Sequence, residues 1–138
     1  MSEKPFRILP RVTPENEHFW HGGAEGELRF LRCDSCRTWI HPPSPVCPGC
    51  ESFDLSPEAV SGRAELVTYT ENHHPWIPGF SPPYLVAIVE FPEQRGLRLT
   101  TNLVDCDVDS VRIGMPVRVT FEEADDGIYL PLFRPEEA

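Results

Sequence analysis

Four cysteines in the pattern C-x2-C-x10-C-x2-C, Cys33, Cys36, Cys47 and Cys50, are the residues of this chain best suited to chemistry. A two-residue spacing puts both thiols of a pair on one tight turn, and two such turns complete a tetrahedron of sulfur around one metal ion. In Cys47-Pro48-Gly49-Cys50 the glycine permits the tight backbone that aims amide N–H groups at sulfur. Four thiolates leave no coordination position for water or substrate, so the expected ion is structural Zn2+, ahead of iron, and holds the fold without performing catalysis. The competing readings are two disulfides or four free thiols.

The fifth cysteine, Cys106, sits between Asp105 and Asp107, surroundings that raise a thiol's pKa and suit a buried structural residue better than a nucleophile. The five histidines fall in no His-Glu-x-x-His frame, and no Gly-x-Ser-x-Gly or glycine-rich phosphate loop is present. No catalytic residue is therefore assigned. Two aromatic groups are candidates for binding a partner or ligand. Phe19 and Trp20 lie in a short helical segment, and His73, His74, Trp76 and Phe80 lie among prolines 75, 78, 82 and 83. Proline lowers the entropy lost when a loop docks, so the second group is either a prepared binding loop or a flap over the end of a barrel.

These residues need elements to carry them. Thr13-Pro14-Glu15 predicts a helix start, with an N-cap, a proline at the first position and an acid in the first turn, and the helix is expected to run about two turns to Gly22-Gly23. Glu27 to Arg32 alternates, with Leu28 and Phe30 on one face, and delivers a strand to the first cysteine pair. Five strands follow: Gly62 to Glu71, Tyr84 to Phe91, Leu97 to Val104, Met115 to Glu122 and Ile128 to Phe133. The second of these is a nearly continuous apolar run and is expected to be buried on both faces. The last two should form a hairpin across Asp125-Asp126-Gly127. This count and spacing predict a mainly β chain: an N-terminal docking-helix region over 1–26, a zinc ribbon over 27–56, and a five-stranded OB-fold barrel over 57–138, with a small β-sandwich as the main rival to the barrel.

Composition narrows the function. Twelve basic residues against 22 acidic ones give a net charge of −10 and a pI near 4.8, a field that repels nucleic acid. A free-standing OB module for single-stranded nucleic acid is the alternative that the predicted folds suggest, and charge opposes it. A small phosphorylated ligand stays open, since every basic residue except Lys4 is arginine, with Arg95 and Arg98 as candidate contacts. No stretch reaches the length of a membrane span, and the N-terminus MSEKPFRILP lacks a signal-peptide core, so a cytoplasmic protein is expected.

The order of parts resembles the DUF35 family: a Phe-Trp helix, Gly-Glu-Leu-Arg-Phe-Leu-Arg-Cys, Pro-Val-Cys-Pro-Gly-Cys, then Pro-Tyr-Leu-Val-Ala-Ile-Val-Glu, Leu-Thr-Thr-Asn-Leu-Val, Val-Arg-Ile-Gly-Met-Pro-Val and Leu-Pro-Leu-Phe-Arg-Pro. The likeness covers residues 14–135. It implies a rubredoxin-like zinc ribbon joined to an OB-fold. It further implies a hetero-oligomeric partner of thiolase-like enzymes, including thiolases and the retro-aldolases of steroid side-chain breakdown, that supports their stability and acyl-CoA site. The metal ligands carry over to Cys33, Cys36, Cys47 and Cys50, and CoA or acyl-CoA enters as a ligand of the assembly. An independent thioesterase using His73, His74 or Cys106 lacks an oriented base partner in any motif frame.

Overall fold

The computed structural model describes residues 7–136. The extreme ends of the predicted helix region and barrel, residues 1–6 and 137–138, lie outside the described residues. Helix α1 spans Glu17–His21 and runs into a turn of 3-10 helix over Gly22–Glu25. It starts later than Thr13-Pro14 predicts: residues 13–16 form a turn in which the Thr13 N–H donates to Asn16 Oδ1 at 2.7 Å, and Asn16 is the N-cap. The Thr13 carbonyl still accepts the first helical bond, from the Glu17 N–H at 2.9 Å.

Gly22-Gly23 does more than end the helix. A Cβ on Gly22 would run into the Glu27 carbonyl, and one on Gly23 would overlap Tyr129 and come within 2.8 Å of the Phe121 ring. Gly23 thus lets the helix end lie directly on the hairpin of the barrel, and Gly22 lets the chain leading into the ribbon fold back against it.

Three strands build the ribbon: β1 (Arg29–Cys33), β2 (Trp39–Ile40) and β3 (Leu55–Ala59), in the order β2-β1-β3. Sequence reading missed the last two, one because it is only two residues long and the other because Pro57 sits in its middle. Both pair antiparallel with β1.

The barrel contains β4 (Arg63–Asn72), β5 (Tyr84–Glu90), β6 (Arg98–Leu103), β7 (Pro116–Glu123) and β8 (Tyr129–Pro135), closed in the order β4-β5-β6-β8-β7. This is the predicted OB-fold, and β7 and β8 form the predicted hairpin, with Asp126 and Gly127 at positive φ in its connection. Closure depends on β4. It is ten residues long and carries an irregularity between Leu66 and Thr68, which lets one end pair with β7 and the rest with β5.

β5 is central, between β4 and β6, but it is not buried on both faces. Leu85, Ala87 and Val89 are buried while Tyr84, Val86, Ile88 and Glu90 are half-exposed, because a closed barrel has one interior and the apolar outer residues are covered only in part. The in-phase leucines 97, 99 and 103 are all buried, and Phe30, Phe91 and Phe133 are fully so.

Gly23→Ala is expected to destabilise the chain by about 1–3 kcal/mol, the usual cost of forcing atoms into a packed contact. Thermal unfolding of the purified variant measures it, and Gly26→Ala serves as a comparison, since open space surrounds the added Cβ there and only its positive φ is strained.

Candidate metal centre and the junction beside it

The two cysteine turns share a pair of backbone bonds. The Cys33 N–H donates to Thr38 O and the Cys47 N–H to Ser52 O, both at 2.9 Å. Arg37 N–H donates to Cys33 O at 3.0 Å and Glu51 N–H to Cys47 O at 2.9 Å. Arg37 and Glu51 take φ of 65° and 66°, a left-handed conformation that costs a non-glycine residue on the order of 1 kcal/mol. Amide N–H groups aim at sulfur as expected: Cys36 at Cys33 Sγ, 3.4 Å, and Gly49 at Cys47 Sγ, 3.3 Å.

All four Sγ atoms lie within 4.8 Å of one another, and the Cys33–Cys50 and Cys36–Cys47 pairs are 3.6 Å apart. Zinc–sulfur bonds of about 2.3 Å place tetrahedral sulfurs about 3.8 Å apart, so the donor set fits one such ion. No disulfide joins any of these cysteines. Their electrostatics call for a cation. The Thr38 hydroxyl, then its backbone N–H, draws Cys36 down to about 6. Cys50, although the Ser52 backbone favours its thiolate, is driven up to about 12 by the neighbouring Cys33 and Cys36 thiols. Four thiolates this close cannot all ionise without a positive charge among them.

Beside the ribbon, α1, the proline-rich connection after β2, and strands β6 and β8 enclose a cleft of about 410 Å³. Trp20, Pro43, Leu99 and Leu130 form much of its lining. Phe19, one of the expected partner or ligand contacts, is largely buried at the cleft, edge-on to Trp20 at 4.7 Å and stacked on His41 at 4.9 Å. A helix this short is stable only when its apolar face is buried, and Phe19 is that face. Trp20 is half-buried at the cleft.

The other candidates lie elsewhere. His73, His74 and Trp76 are exposed on the loop between β4 and β5, with the His74 and Trp76 rings 4.2 Å apart and Trp76 Nε1 donating to Asn72 Oδ1 at 2.9 Å. Phe80 is half-buried against Tyr84 at 4.6 Å. The Phe19-Trp20 pair and Phe80 thus line two separate spaces, which share Arg7 and Asn102 in their walls. Cys106 is half-buried; burial first, and then Asp107 and Asp105, push its thiol up. Arg98 is engaged by Glu90 at 2.9 Å.

Sequence reading missed three residues at the junction. His41 packs against both Phe19 and Phe30, 4.9 and 4.5 Å from their centroids, and those two rings also stack on each other at 6.1 Å. Gln94 exchanges two bonds with Trp39, accepting from its N–H at 2.9 Å and donating to its carbonyl at 3.0 Å, as a neighbouring strand would. Arg7 bridges the barrel strands. Each meets its partners only through distant parts of the chain, so no local pattern marks them.

Two family models divide the chain: residues 20–56 match the rubredoxin-like zinc ribbon domain of ChsH2, and residues 57–122 its C-terminal OB-fold domain. A DUF35 domain-containing scaffold protein of Methanocaldococcus jannaschii is 35% identical over 115 residues, covering 78% of this chain and 80% of that protein. The chain belongs to the DUF35 family. Among solved structures, this DUF35 chain is similar to one described as "Ltp2-ChsH2(DUF35) aldolase", with a TM-score of 0.82, 41% identity, and coverage of 92% of this chain and 98% of that one. A Thermomonospora curvata protein named "Probable enoyl-CoA hydratase alpha subunit" is 41% identical over 132 residues. This DUF35 chain spans 41% of that protein's length. Among the described residues no helix is long and apolar enough to cross a membrane.

Burial first, and then the charge of His18, hold the His41 imidazole down at about 4 from an ordinary 6.5. The unfolded chain therefore takes up this proton before the folded one does. The associated stability is complete above pH 6.5, declines as pH falls from 6.5 to 4, and is gone below 4, a loss of about 3 kcal/mol for the shift as a whole. His41→Phe keeps the ring stack without the titration. Urea midpoints at pH 7 and 4.5 should fall further for the native chain than for this variant.

Proposed function

We propose that this DUF35 chain is a non-catalytic subunit that docks on a thiolase-like enzyme acting on acyl-CoA and supports that enzyme's stability and acyl-CoA site. A structural zinc ion held by Cys33, Cys36, Cys47 and Cys50 would keep the ribbon folded. The observation that carries the reading is the likeness, over nearly its whole length, to a chain of the Ltp2-ChsH2(DUF35) aldolase, whose name joins two components in one enzyme. The similarity to a hydratase alpha subunit and to an archaeal scaffold protein supports the same role.

The residues agree with it. A closed sulfur site offers no position for substrate. Cys106 has a raised pKa between two acids, and His73 is spent on Glu71 at 3.0 Å. The exposed aromatic surfaces for a partner are the loop presenting Trp76, which is 69% exposed, and Phe53, which is 80% exposed just beyond the second cysteine turn. Large exposed aromatics of this kind are what protein interfaces bury. The cavity beside the loop is lined by Glu71, Asp105, Asp107 and Asp109, so the opposing face of the partner should be basic.

The test is affinity purification of the tagged chain from its native host, with and without CoA, read by mass spectrometry together with metal analysis. A thiolase-like protein in near-equal amount, with one zinc per chain, is the expected result. Recovery of the chain alone, or with nucleic acid, overturns the function. Trp76→Ala should weaken the recovered complex by about tenfold or more. A strong chelator should unfold the ribbon before the barrel, which circular dichroism and tryptophan fluorescence (Trp39 in the ribbon) follow together.

A further inference from the structure

Arg7 is gripped on several sides by parts of the chain far from it in sequence. Its Nε donates to Glu122 Oε2 at 3.0 Å and its Nη2 to Glu122 Oε1 at 3.4 Å, a two-pronged hold on the end of β7. Its Nη1 donates to Asn102 Oδ1 at 3.2 Å, and Asn102 Nδ2 donates onward to the Leu85 carbonyl at 2.8 Å. The guanidinium also lies 4.5 Å from the centroid of the Phe80 ring. The Arg7 and Glu122 side chains are only 18% and 23% exposed, so ion pair and ring contact are less screened than on an open surface.

The loop that Phe80 belongs to bonds mainly to itself. Trp76 N–H donates to His74 O at 2.9 Å and Phe80 N–H to Ile77 O at 3.1 Å. Asn72, at the loop's base, donates to His74 O at 2.7 Å and accepts from Trp76 Nε1. Phe80, packed on Tyr84 and faced by Arg7, is where the loop is tied to the barrel. Arg7 and Asn102 also line both the cleft of about 410 Å³ beside Trp20 and the cavity of about 540 Å³ beside Phe80. The Arg7 side chain is therefore part of the partition between two spaces.

We propose that Arg7 is a latch. Its pairing with Glu122 and its contact with Phe80 hold the Trp76 loop against the barrel, and withdrawing the side chain frees the loop and joins the two spaces into one groove. The latch is a property of the free chain and does not depend on a partner. Combined with the docking role proposed above, it makes the N-terminal segment a control on the surface the partner meets.

Hydrogen exchange read by mass spectrometry on the full metal-loaded chain tests it. In Arg7→Ala the amides of Trp76, Ile77, Gly79 and Phe80 should exchange about tenfold faster, the scale of one partly buried ion pair plus one cation–ring contact, while those of β5 and β6 stay unchanged. Raised ionic strength should speed loop exchange in the native chain and not in Arg7→Ala. Phe80→Leu, which keeps the Glu122 pair, should free the loop alone and so separates the latch from any general loss of stability. Unchanged loop exchange in Arg7→Ala and Phe80→Leu, or equal acceleration throughout the barrel in both, overturns the proposal. A free loop in Arg7→Ala with no partner recovered from the host leaves the latch standing and rejects the docking role.

Discussion

One strand has to serve two cores. Along β1 and the residue leading into it, Leu28 and Phe30 point into the cluster that contains Phe91, Phe133 and the barrel leucines, while Leu31 and Cys33 point into a much smaller cluster with Ile40 and Cys47. The two-residue period of a strand makes this possible, since neighbours emerge on opposite faces. The small cluster is too slight to hold the ribbon by hydrophobic burial, and the sulfur tetrahedron stands in for the missing core. Phe30, fully buried and worth roughly 1.5–3 kcal/mol by transfer alone, anchors the ribbon to the barrel.

The junction follows from that anchor. A three-ring cluster of Phe19, His41 and Phe30 continues edge-on from Phe30 into Phe91 and then Phe133, so helix, ribbon and barrel share one packed interior. Gln94 lends its amide to Trp39 in the place of a missing strand, and Glu93 accepts from the Ser61 N–H at 2.6 Å, so a single barrel turn fastens both the ribbon and the segment after it. A helix that would be marginal alone becomes a structural layer, and its Phe19 is spent on the core. Trp76, Phe53, Ile8 and Ile113 are the large apolar side chains left exposed among the described residues.

Charge shapes those surfaces. Among the described residues, six arginines are engaged by carboxylates of the same chain: Arg7 by Glu122, Arg29 by Glu25 and Glu27, Arg32 and Arg37 by Glu58, Arg63 by Glu136, and Arg98 by Glu90. With much of the positive charge paired internally and a net charge of −10, the exterior suits a basic protein face better than a phosphate backbone.

The sequence by itself determined the elements whose causes are local. Cysteine spacing specified the knuckles, because two residues between thiols is a property of one turn. Alternation and turn residues specified five barrel strands in order, and the hairpin at Asp125-Asp126-Gly127. The joint order of segments identified the DUF35 family. Tertiary structure alone decided which aromatics are core and which are surface. Phe19 and Trp76 carry the same local signal, an aromatic on a short polar element, and differ only in whether a second layer covers them. It also decided the roles of Arg7, His41 and Gln94. Each acts through partners eleven or more residues away, and side-chain chemistry at such range is set by how the layers pack rather than by any pattern along the chain.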